Sequence, residues 1–201
     1  MLDKSLPYIG IIMVREPAPL PPAPVLPAPF QLVRYRPGLE EGWADIETSA
    51  GEFEHREDAL AYFRKEFMPW PEELADRCLF IVDGEGRPVA TTTAWRGNLF
   101  GSENQPRLHW VAVRRENQRQ GLSASLIHAA LTRYIELGQT GPVYLTSQTW
   151  SYVAIRMYLR YGFAPYTGPC PAAWKPTGQS FAEDNRRAWP LIMEKIDRLK
   201  R

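Results

Sequence analysis

The pattern of apolar and polar positions in the middle of the chain predicts a strand, a polar loop, a helix, a second strand and a second helix. Leu108–Val113 is an apolar run typical of a buried strand, and the wholly polar Arg114–Gln120 cannot continue it. From Leu122 onwards apolar residues recur at the spacing of one helix face, and a strand and a helix follow at Val143–Ser147 and Tyr152–Tyr161. Such a crossover implies that its two strands lie parallel in one sheet.

The segments before this unit predict a hairpin and two further helices. Cys78–Val82 and Pro88–Trp95 are strand-like, and the turn Asp83–Gly86 joins them. With the apolar strand that follows, they form an antiparallel meander. Leu39–Ser49 and Glu57–Phe67 each carry apolar residues at helical spacing, so both are predicted to be helices.

The N-terminal part of the chain is dominated by prolines. Tyr8–Val14 is predicted to form a short strand, and the proline-rich stretch Pro17–Pro29 excludes both a helix and a central strand. That stretch is either an extended connector on the protein's own surface or a docking motif for a partner. Because Phe30–Tyr35 is taken as the first strand of the domain, residues 1–29 are interpreted as an N-terminal extension and residues 30–201 as the domain.

The C-terminal segment predicts a helix at Asn185–Arg201, with apolar residues at helical spacing. Pro190 suits the first turn of such a helix better than its interior. Glu194 and Arg198 form an i,i+4 pair of opposite charge. This helix either packs on its own domain or forms a homodimer contact.

Composition narrows the class of protein. The chain has 201 residues, 44% of them hydrophobic, and a net charge of +1, which is ordinary for a soluble globular protein and favours neither nucleic acid nor an anionic membrane as partner. Cys78 and Cys170 allow no disulfide framework, fit a reducing cytoplasm, and are each expected to be buried. The three histidines lack zinc-site spacing, so no metal is expected. There is no apolar run of about 18 residues to span a membrane, and Met1–Val14 lacks the features of a signal peptide.

The candidate chemistry lies in the polar loop at Gln118–Ser123. A glycine where a strand passes into a helix lets a ligand approach the backbone, and the free amides of the first helical turn favour an anion such as a phosphate. Arg119 adds positive charge beside Gly121. The alternative is a tight turn whose arginines are merely solvated. Neither a P-loop motif nor a G-x-G-x-x-G fingerprint is present, so two common phosphate-binding classes are excluded by pattern.

Two motifs occur in a set order around this loop. Val111–Val113 ends a strand in the pattern V-x-V, and Gln118–Ser123 follows the pattern Q/R-x-x-G-x-G/A. Ser151–Phe163 then follows the pattern N-x-x-A-I/V-x-x-Y-x-x-x-G-F. Together they resemble the GNAT superfamily of N-acetyltransferases, strongly over Leu108–Phe163 and loosely over Phe30–Tyr166. Two positions depart from the family pattern, because serine replaces the second small residue of the loop and the usual asparagine.

The resemblance implies a mixed, twisted α/β sheet flanked by helices in a single domain. It implies an acyltransferase that moves an acetyl group from acetyl-CoA, its cosubstrate, to a small-molecule or peptide amine by direct attack in a ternary complex. It also implies that the two parallel strands splay apart to admit the cofactor. The residues implied to bind the cofactor are Val111, Ala112, Val113, Gln118, Arg119, Gln120, Gly121, Leu122, Ser123, Ala124, Ser151 and Ala154. Alternatives are a non-catalytic acyl-CoA sensor of the same fold and a partner-recruiting adaptor.

Two residues are candidates for catalysis. By resemblance, Tyr158 stands where the family carries its proton-donating tyrosine, although a core tyrosine would fit the same spacing. Strand alternation puts His109 on the same face as Val111 and Val113, opposite Trp110, so it could accept the amine's proton if that face opens on the cleft. A structural histidine is the alternative. Between the two predicted helices, Glu52, Phe53 and Glu54 are either acceptor contacts or a solvated loop.

Overall fold

The computed structural model describes residues 2–199. In that part of the chain, the strands are β1 Gly10–Arg15, β2 Gln31–Arg34, β3 Cys78–Val82, β4 Pro88–Gly97, β5 Gln105–Val113, β6 Val143–Gln148 and β7 Ala164–Pro165. The helices are α1 Leu39–Ala50, α2 Arg56–Glu66, α3 Pro71–Arg77, α4 Leu122–Glu136, α5 Tyr152–Arg160 and α6 Phe181–Arg198, and two short 3₁₀ turns cover Arg115–Asn117 and Thr149–Ser151.

Backbone hydrogen bonds link the strands in the order β2-β3-β4-β5-β6-β1-β7. Antiparallel pairs such as β2 with β3 and β3 with β4 occur together with the parallel pair of β5 and β6. The expected mixed sheet with flanking helices is therefore confirmed. The chain divides into two compact units, a terminal unit of residues 2–19, 96–107 and 140–199, and a central unit of residues 20–95 and 108–139.

The core of the central unit is built from α1, α2, α3 and the strands they cover. Its centre is Trp43, which is 0% exposed and contacts the rings of Phe63 and Phe67. The apolar spacing that predicted α1 and α2 is the spacing that buries these rings. The helix α3 was not predicted, and Pro71 at its first position fits the preference of proline for the first turn.

The terminal unit is organised around β1. This strand pairs antiparallel with β6 on one side and with β7 on the other, and Ile11, Ile12 and Met13 are fully buried. The strand predicted at Tyr8–Val14 is therefore confirmed, and it comes before the strand that was taken as the first. At its end the Nε of Arg15 donates to the carbonyl of Tyr161 at 2.8 Å. The proline-rich stretch that follows forms neither helix nor strand and is largely exposed, as predicted.

Two sequence expectations are wrong. The helix α6 begins at Phe181, where the side chain of Ser180 caps it by accepting from the backbone N–H of Glu183, so Pro190 lies inside the helix and not in its first turn. Cys170 is exposed and not buried. The ion pair of Glu194 with Arg198 is confirmed, and the last two residues of the predicted helix lie outside the described residues.

Candidate functional site

The polar loop after β5 holds a tightly specified backbone conformation. Its first residues make a 3₁₀ turn, and the side-chain Nε2 of Gln118 donates to the carbonyl of Val113 at 3.1 Å, which closes the loop on the end of the strand. Arg119 and Gly121 have φ values of 64° and 80°, both in the left-handed region. Gly121 is the residue before α4, so the helix starts where the sequence placed it.

The front of this loop is open. A Cβ built on Gly121 would meet no atom within 4 Å, and Arg119, Gln120 and Gly121 are exposed. No side chain caps the start of α4, and its first turn contains no acidic residue. The positive end of the helix dipole therefore faces an accessible surface, and the first turn of α4 has no carboxylate to neutralise it, which favours the binding of a phosphate or pyrophosphate.

The three arginines of this region differ in role. Arg114 has a structural role, because it joins the end of β5 to β4 and α1. Its Nε donates to the carbonyl of Pro88 at 2.9 Å and its Nη2 pairs with Asp45 at 3.1 Å. The backbone N–H of Arg115 donates to the hydroxyl of Ser49 at 3.0 Å. Arg119 is exposed and forms no ion pair within residues 2–199. The side chain of Arg115 is exposed as well, so Arg115 and Arg119 can both add positive charge for an incoming anion, and Arg119 is the nearer of the two to Gly121 in the chain.

The candidate base His109 is 7% exposed, and its Nε2 lies 3.3 Å from the hydroxyl oxygen of Tyr62 on α2. Its ring also packs edge to face against Phe67. The expectation that His109 and Trp110 face opposite ways is wrong, because both side chains contact Tyr62. Trp110 has a φ of 52°, and this left-handed residue within β5 interrupts the alternation of the strand.

Three rings form a partly exposed surface in the central unit, which we call the aromatic face: Phe53, Tyr62 and Trp110. Their centroids lie 5.8 Å apart for Phe53 and Tyr62, 5.3 Å for Phe53 and Trp110, and 5.1 Å for Tyr62 and Trp110. All three residues are partly buried, so each keeps part of its surface in solvent. The exposed residues Glu52 and Glu54 flank Phe53 in the chain. The aromatic face thus has an apolar surface with acidic groups next to it in sequence.

Trp43 lies beneath the aromatic face. Its ring stacks on Tyr62 at 6.1 Å and meets Trp110 edge to face at 5.5 Å. Within residues 2–199, the indole Nε1 of Trp43 and that of Trp110 are buried and have no hydrogen-bond partner. Such unsatisfied donors are costly in a protein interior, so this packing maintains ring contacts at the expense of hydrogen bonds.

One turn further along α1, Glu47 is a buried carboxyl group. It is 1% exposed, and its Oε1 has no partner among the described residues. Burial, and secondarily the charge of Glu52, raise the pKa of Glu47 well above its usual value. Its neighbour Cys78 is also buried, and burial raises the pKa of that thiol to about 12. The thiol therefore stays un-ionised at neutral pH and is unsuited to act as a nucleophile.

The remaining candidates lie in the terminal unit, on and just before α5. Tyr158 is 7% exposed, and its ring packs edge to face on Phe163 at 5.9 Å. Ala154 lies one turn before it, partly exposed. Ser151 is buried in the 3₁₀ turn before the helix, and its hydroxyl accepts from the side-chain amide of Gln148 at 3.1 Å. In this arrangement the hydroxyl of Ser151 already has a partner.

Sequence reasoning missed two residues that shape the central unit. Tyr62 lies within the predicted helix Glu57–Phe67, and nothing local to it indicates that it meets His109. Glu47 occupies the position i+4 from Trp43, and a carboxyl group within that apolar stripe was the available signal of burial.

Residues 2–199 contain no group of three or more His, Cys, Asp and Glu side chains placed to hold a metal ion. None of the helices in the same range combines the length and the apolar character needed to cross a bilayer.

Comparison with known proteins identifies similarity over most of the chain. A model described as the acetyltransferase (GNAT) family matches residues 41–163. A GCN5-related N-acetyltransferase from Sphaerobacter thermophilus has 21% identity and a TM-score of 0.62, covering 79% of this chain and 49% of that one. Another from Kribbella flavida has 24% identity and a TM-score of 0.53, covering 78% and 54%.

A third solved structure is a tandem GNAT protein from the clavulanic acid biosynthesis pathway, solved without acetyl-CoA. It shows 18% identity and a TM-score of 0.59, covering 79% of this chain and 50% of that one. The chain thus spans about half the length of these structures. At such identities the structural likeness supports the fold alone. Among curated proteins, none matches the chain.

Proposed function

Because the chain belongs to the acetyltransferase (GNAT) family, we propose that it transfers the acetyl group of acetyl-CoA to an amine acceptor in a ternary complex. The observation that carries this proposal is the start of α4. There, a left-handed Gly121 with open space before it precedes an uncapped helix N-terminus without acidic residues. The pyrophosphate of acetyl-CoA fits the charge and the accessibility of this loop.

The proposed cofactor contacts follow the chain. Backbone groups of Val111–Val113 pair with the pantetheine arm, and the amides of Arg119–Ala124 hold the pyrophosphate, with Arg119 adding charge. Ser151 and Ala154 complete the proposed set. The hydroxyl of Ser151 would have to leave Gln148 to contact the cofactor.

The proposed reaction needs two proton movements. The acceptor nitrogen loses a proton to His109, directly or through the hydroxyl of Tyr62, and attacks the thioester carbonyl. A carbon–nitrogen bond forms, the carbon–sulfur bond breaks, and a backbone N–H of the Val111–Val113 strand holds the charge that develops on the carbonyl oxygen. Tyr158 donates a proton to the departing thiolate, because a tyrosine hydroxyl is un-ionised at neutral pH. No acyl-enzyme is formed.

The acceptor in this proposal is a small molecule or a peptide with an amine. The scarcity of cysteines favours a reducing cytoplasm as the place of the reaction.

The test is ligand-dependent thermal stability followed by turnover. Acetyl-CoA should raise the melting temperature of the purified protein, whereas NAD and ATP should not, since a ligand that binds only the native state stabilises it. Release of free CoA in the presence of amine acceptors then measures transfer. An equal response to all three nucleotides, or none, contradicts the proposal. Acetyl-CoA binding without turnover of any amine would favour an acyl-CoA sensor instead.

A further inference from the structure

The aromatic face, with the acidic residues beside it, indicates the chemical class of the acceptor. We propose that the acceptor is a primary amine attached to an aromatic or similarly flat apolar body and lacking a carboxylate, and that it binds on Phe53, Tyr62 and Trp110. This inference rests on the proposed acetyl transfer and specifies its second substrate.

The geometry of the rings suits a flat apolar ligand. Phe53 and Trp110 are inclined by 31° with their centroids 5.3 Å apart, and Tyr62 stands at 74° to Trp110, so the three rings form one contiguous apolar cluster. Trp43 supports them from below, with its ring only 7° from parallel to that of Tyr62. Because Trp43 is fully buried, the three rings cannot sink further into the core, and their exposed surface remains available for stacking.

The charges next to the aromatic face favour a cation over an anion. The loop that carries Phe53 has a glutamate on either side of it, and both are exposed. The nearby cation Arg56 is held by Asp45 at 2.6 Å and by Glu41 at 2.5 Å, so it is committed elsewhere. An ammonium group is attracted both by these carboxylates and by the faces of aromatic rings, whereas a carboxylate is repelled.

The surface is poorly suited to a ligand with many hydroxyl groups. The indole Nε1 groups of Trp43 and Trp110 are buried, so the hydroxyl of Tyr62 is the polar group that the three side chains offer to a ligand. A sugar-like acceptor would give up hydrogen bonds to water without replacing them, which costs free energy for each group. The burial of an apolar ligand on the same surface is favourable, because it removes apolar area from water.

The aromatic face is in contact with the candidate base, His109. Tyr62 is one of its three rings, and its hydroxyl oxygen lies 3.3 Å from the Nε2 of His109. An amine that rests against Tyr62 therefore has a hydroxyl and an imidazole in line to receive its proton. The ring that recognises the body of the acceptor is thus connected to the group that would activate its nitrogen.

Matched amines test the class directly. Purified protein is supplied with acetyl-CoA and with tryptamine, 2-phenylethylamine, propylamine, glucosamine, tryptophan or phenylalanine, and CoA release is measured. Tryptamine and 2-phenylethylamine should exceed propylamine and glucosamine in kcat/KM by about 10-fold or more, because of these four amines only the first two bury an aromatic ring. They should exceed tryptophan and phenylalanine by a similar factor, because those differ from them only by a carboxylate.

Variants then locate the effect. Phe53→Ala should raise KM for tryptamine about 10-fold, because it removes a ring on which the aromatic body of the substrate stacks. Ile135→Ala is the control, since it truncates an apolar side chain that is 59% exposed on α4 and outside the proposed site. The double variant Glu52→Gln, Glu54→Gln should reduce the preference for tryptamine over tryptophan.

The outcomes separate this inference from the proposed function. If propylamine, glucosamine or the amino acids are acetylated as well as tryptamine, the acceptor class is wrong and the acetyltransferase stands. If acetyl-CoA stabilises the protein but no ring-bearing amine is acetylated, the acceptor class is again wrong. Dimerisation that Phe53→Ala abolishes would assign the aromatic face to a second copy of the chain instead. Absence of any acetyl-CoA response removes the proposed function itself.

Discussion

The loop before α4 and the aromatic face are both parts of the central unit, but they are built from different parts of the chain. The loop is a local structure, in which Gln118, Arg119 and Gly121 set the backbone within a few residues, and what it presents is backbone N–H groups. The aromatic face gathers three side chains from a loop, a helix and a strand. What it presents is rings and one hydroxyl.

This difference predicts two kinds of response to mutation. A site made of backbone groups tolerates changes of its side chains unless they alter φ or place charge or bulk before the amides. A site made of side chains loses function when single atoms or rings are deleted, while the backbone stays as it was. Substitutions that change one property at a time can therefore separate the two.

The largest expected effect is at Gly121. Gly121→Glu should abolish the stabilisation by acetyl-CoA. At a ligand concentration of about 100 Kd the wild type gains about 2.7 kcal/mol, and a loss of affinity of about 100-fold removes nearly all of it. The substitution places a negative charge in the open space where we place the pyrophosphate. The measurement is the shift in melting temperature on adding acetyl-CoA.

The matched control for this substitution is Gly121→Gln, which has the same bulk and no charge. A side chain at a φ of 80° strains the backbone equally in both variants, so the ligand-induced shift is compared and not the stability itself. Gly121→Gln should retain part of the response. Undiminished affinity in Gly121→Glu would mean that the pyrophosphate binds elsewhere.

The next effect concerns a side chain in the terminal unit. Tyr158→Phe keeps the ring that packs on Phe163 and deletes the hydroxyl. The variant should fold and bind acetyl-CoA as before, yet lose about 10²-fold in kcat, the lower range for general acid catalysis. Steady-state kinetics with a good acceptor measures it. If kcat falls by less than a factor of two while acetyl transfer is rate-limiting, Tyr158 has a structural role and another group protonates the thiolate.

The same contrast explains which parts of the protein the sequence made predictable. Gly121 marks the start of α4 because a polar loop, a glycine and an apolar helix face follow one another directly, and Gly162 marks the end of α5 in the same way. The strand Cys78–Val82 has the predicted bounds, since it is an apolar run closed by a turn. These features depend on neighbours in the chain.

The features that escaped prediction depend on partners far away in the chain. The left-handed Trp110 is not a position that a tryptophan favours, and its ring contacts with Trp43 and Tyr62 accompany that conformation. The pairing of Tyr62 with His109 joins a helix to a strand. Pro190 is accommodated inside α6, although its own preference is for a first turn. Local pattern carries no signal of such contacts.

A smaller effect separates the hydroxyl of the aromatic face from its rings. Tyr62→Phe keeps the ring but removes the hydroxyl that lies next to His109, so kcat should fall by roughly 10-fold with KM for tryptamine nearly unchanged. His109→Gln should lower kcat/KM at neutral pH by at least as much and flatten the acid limb of its pH profile, because the amide cannot accept a proton. Phe53→Ala, which should change KM and not kcat, is the complementary control. An unchanged pH profile in His109→Gln would assign the base to another group.

The smallest expected effect is on the stability of the folded protein. It tests how tightly the residues around Trp43, below the aromatic face, are packed. Burial raises the pKa of Glu47, so above the unfolded-chain pKa of about 4.3 the native protein keeps a proton that the unfolded chain has released. The stability of the native state is therefore greatest below the unfolded-chain pKa and falls as pH rises towards the raised folded pKa.

The variant Glu47→Gln cannot ionise at this position. Urea unfolding between pH 4 and pH 8 should therefore show a flatter dependence of stability on pH, with a gain over wild type of about 1 kcal/mol at the upper end. Glu52→Gln removes the second cause of the shift and should lower the pKa of Glu47, so the same flattening should appear in weaker form. Parallel profiles for wild type and Glu47→Gln would show that the carboxyl group is solvated in the native state, and that the packing around Trp43 is looser than its full burial indicates.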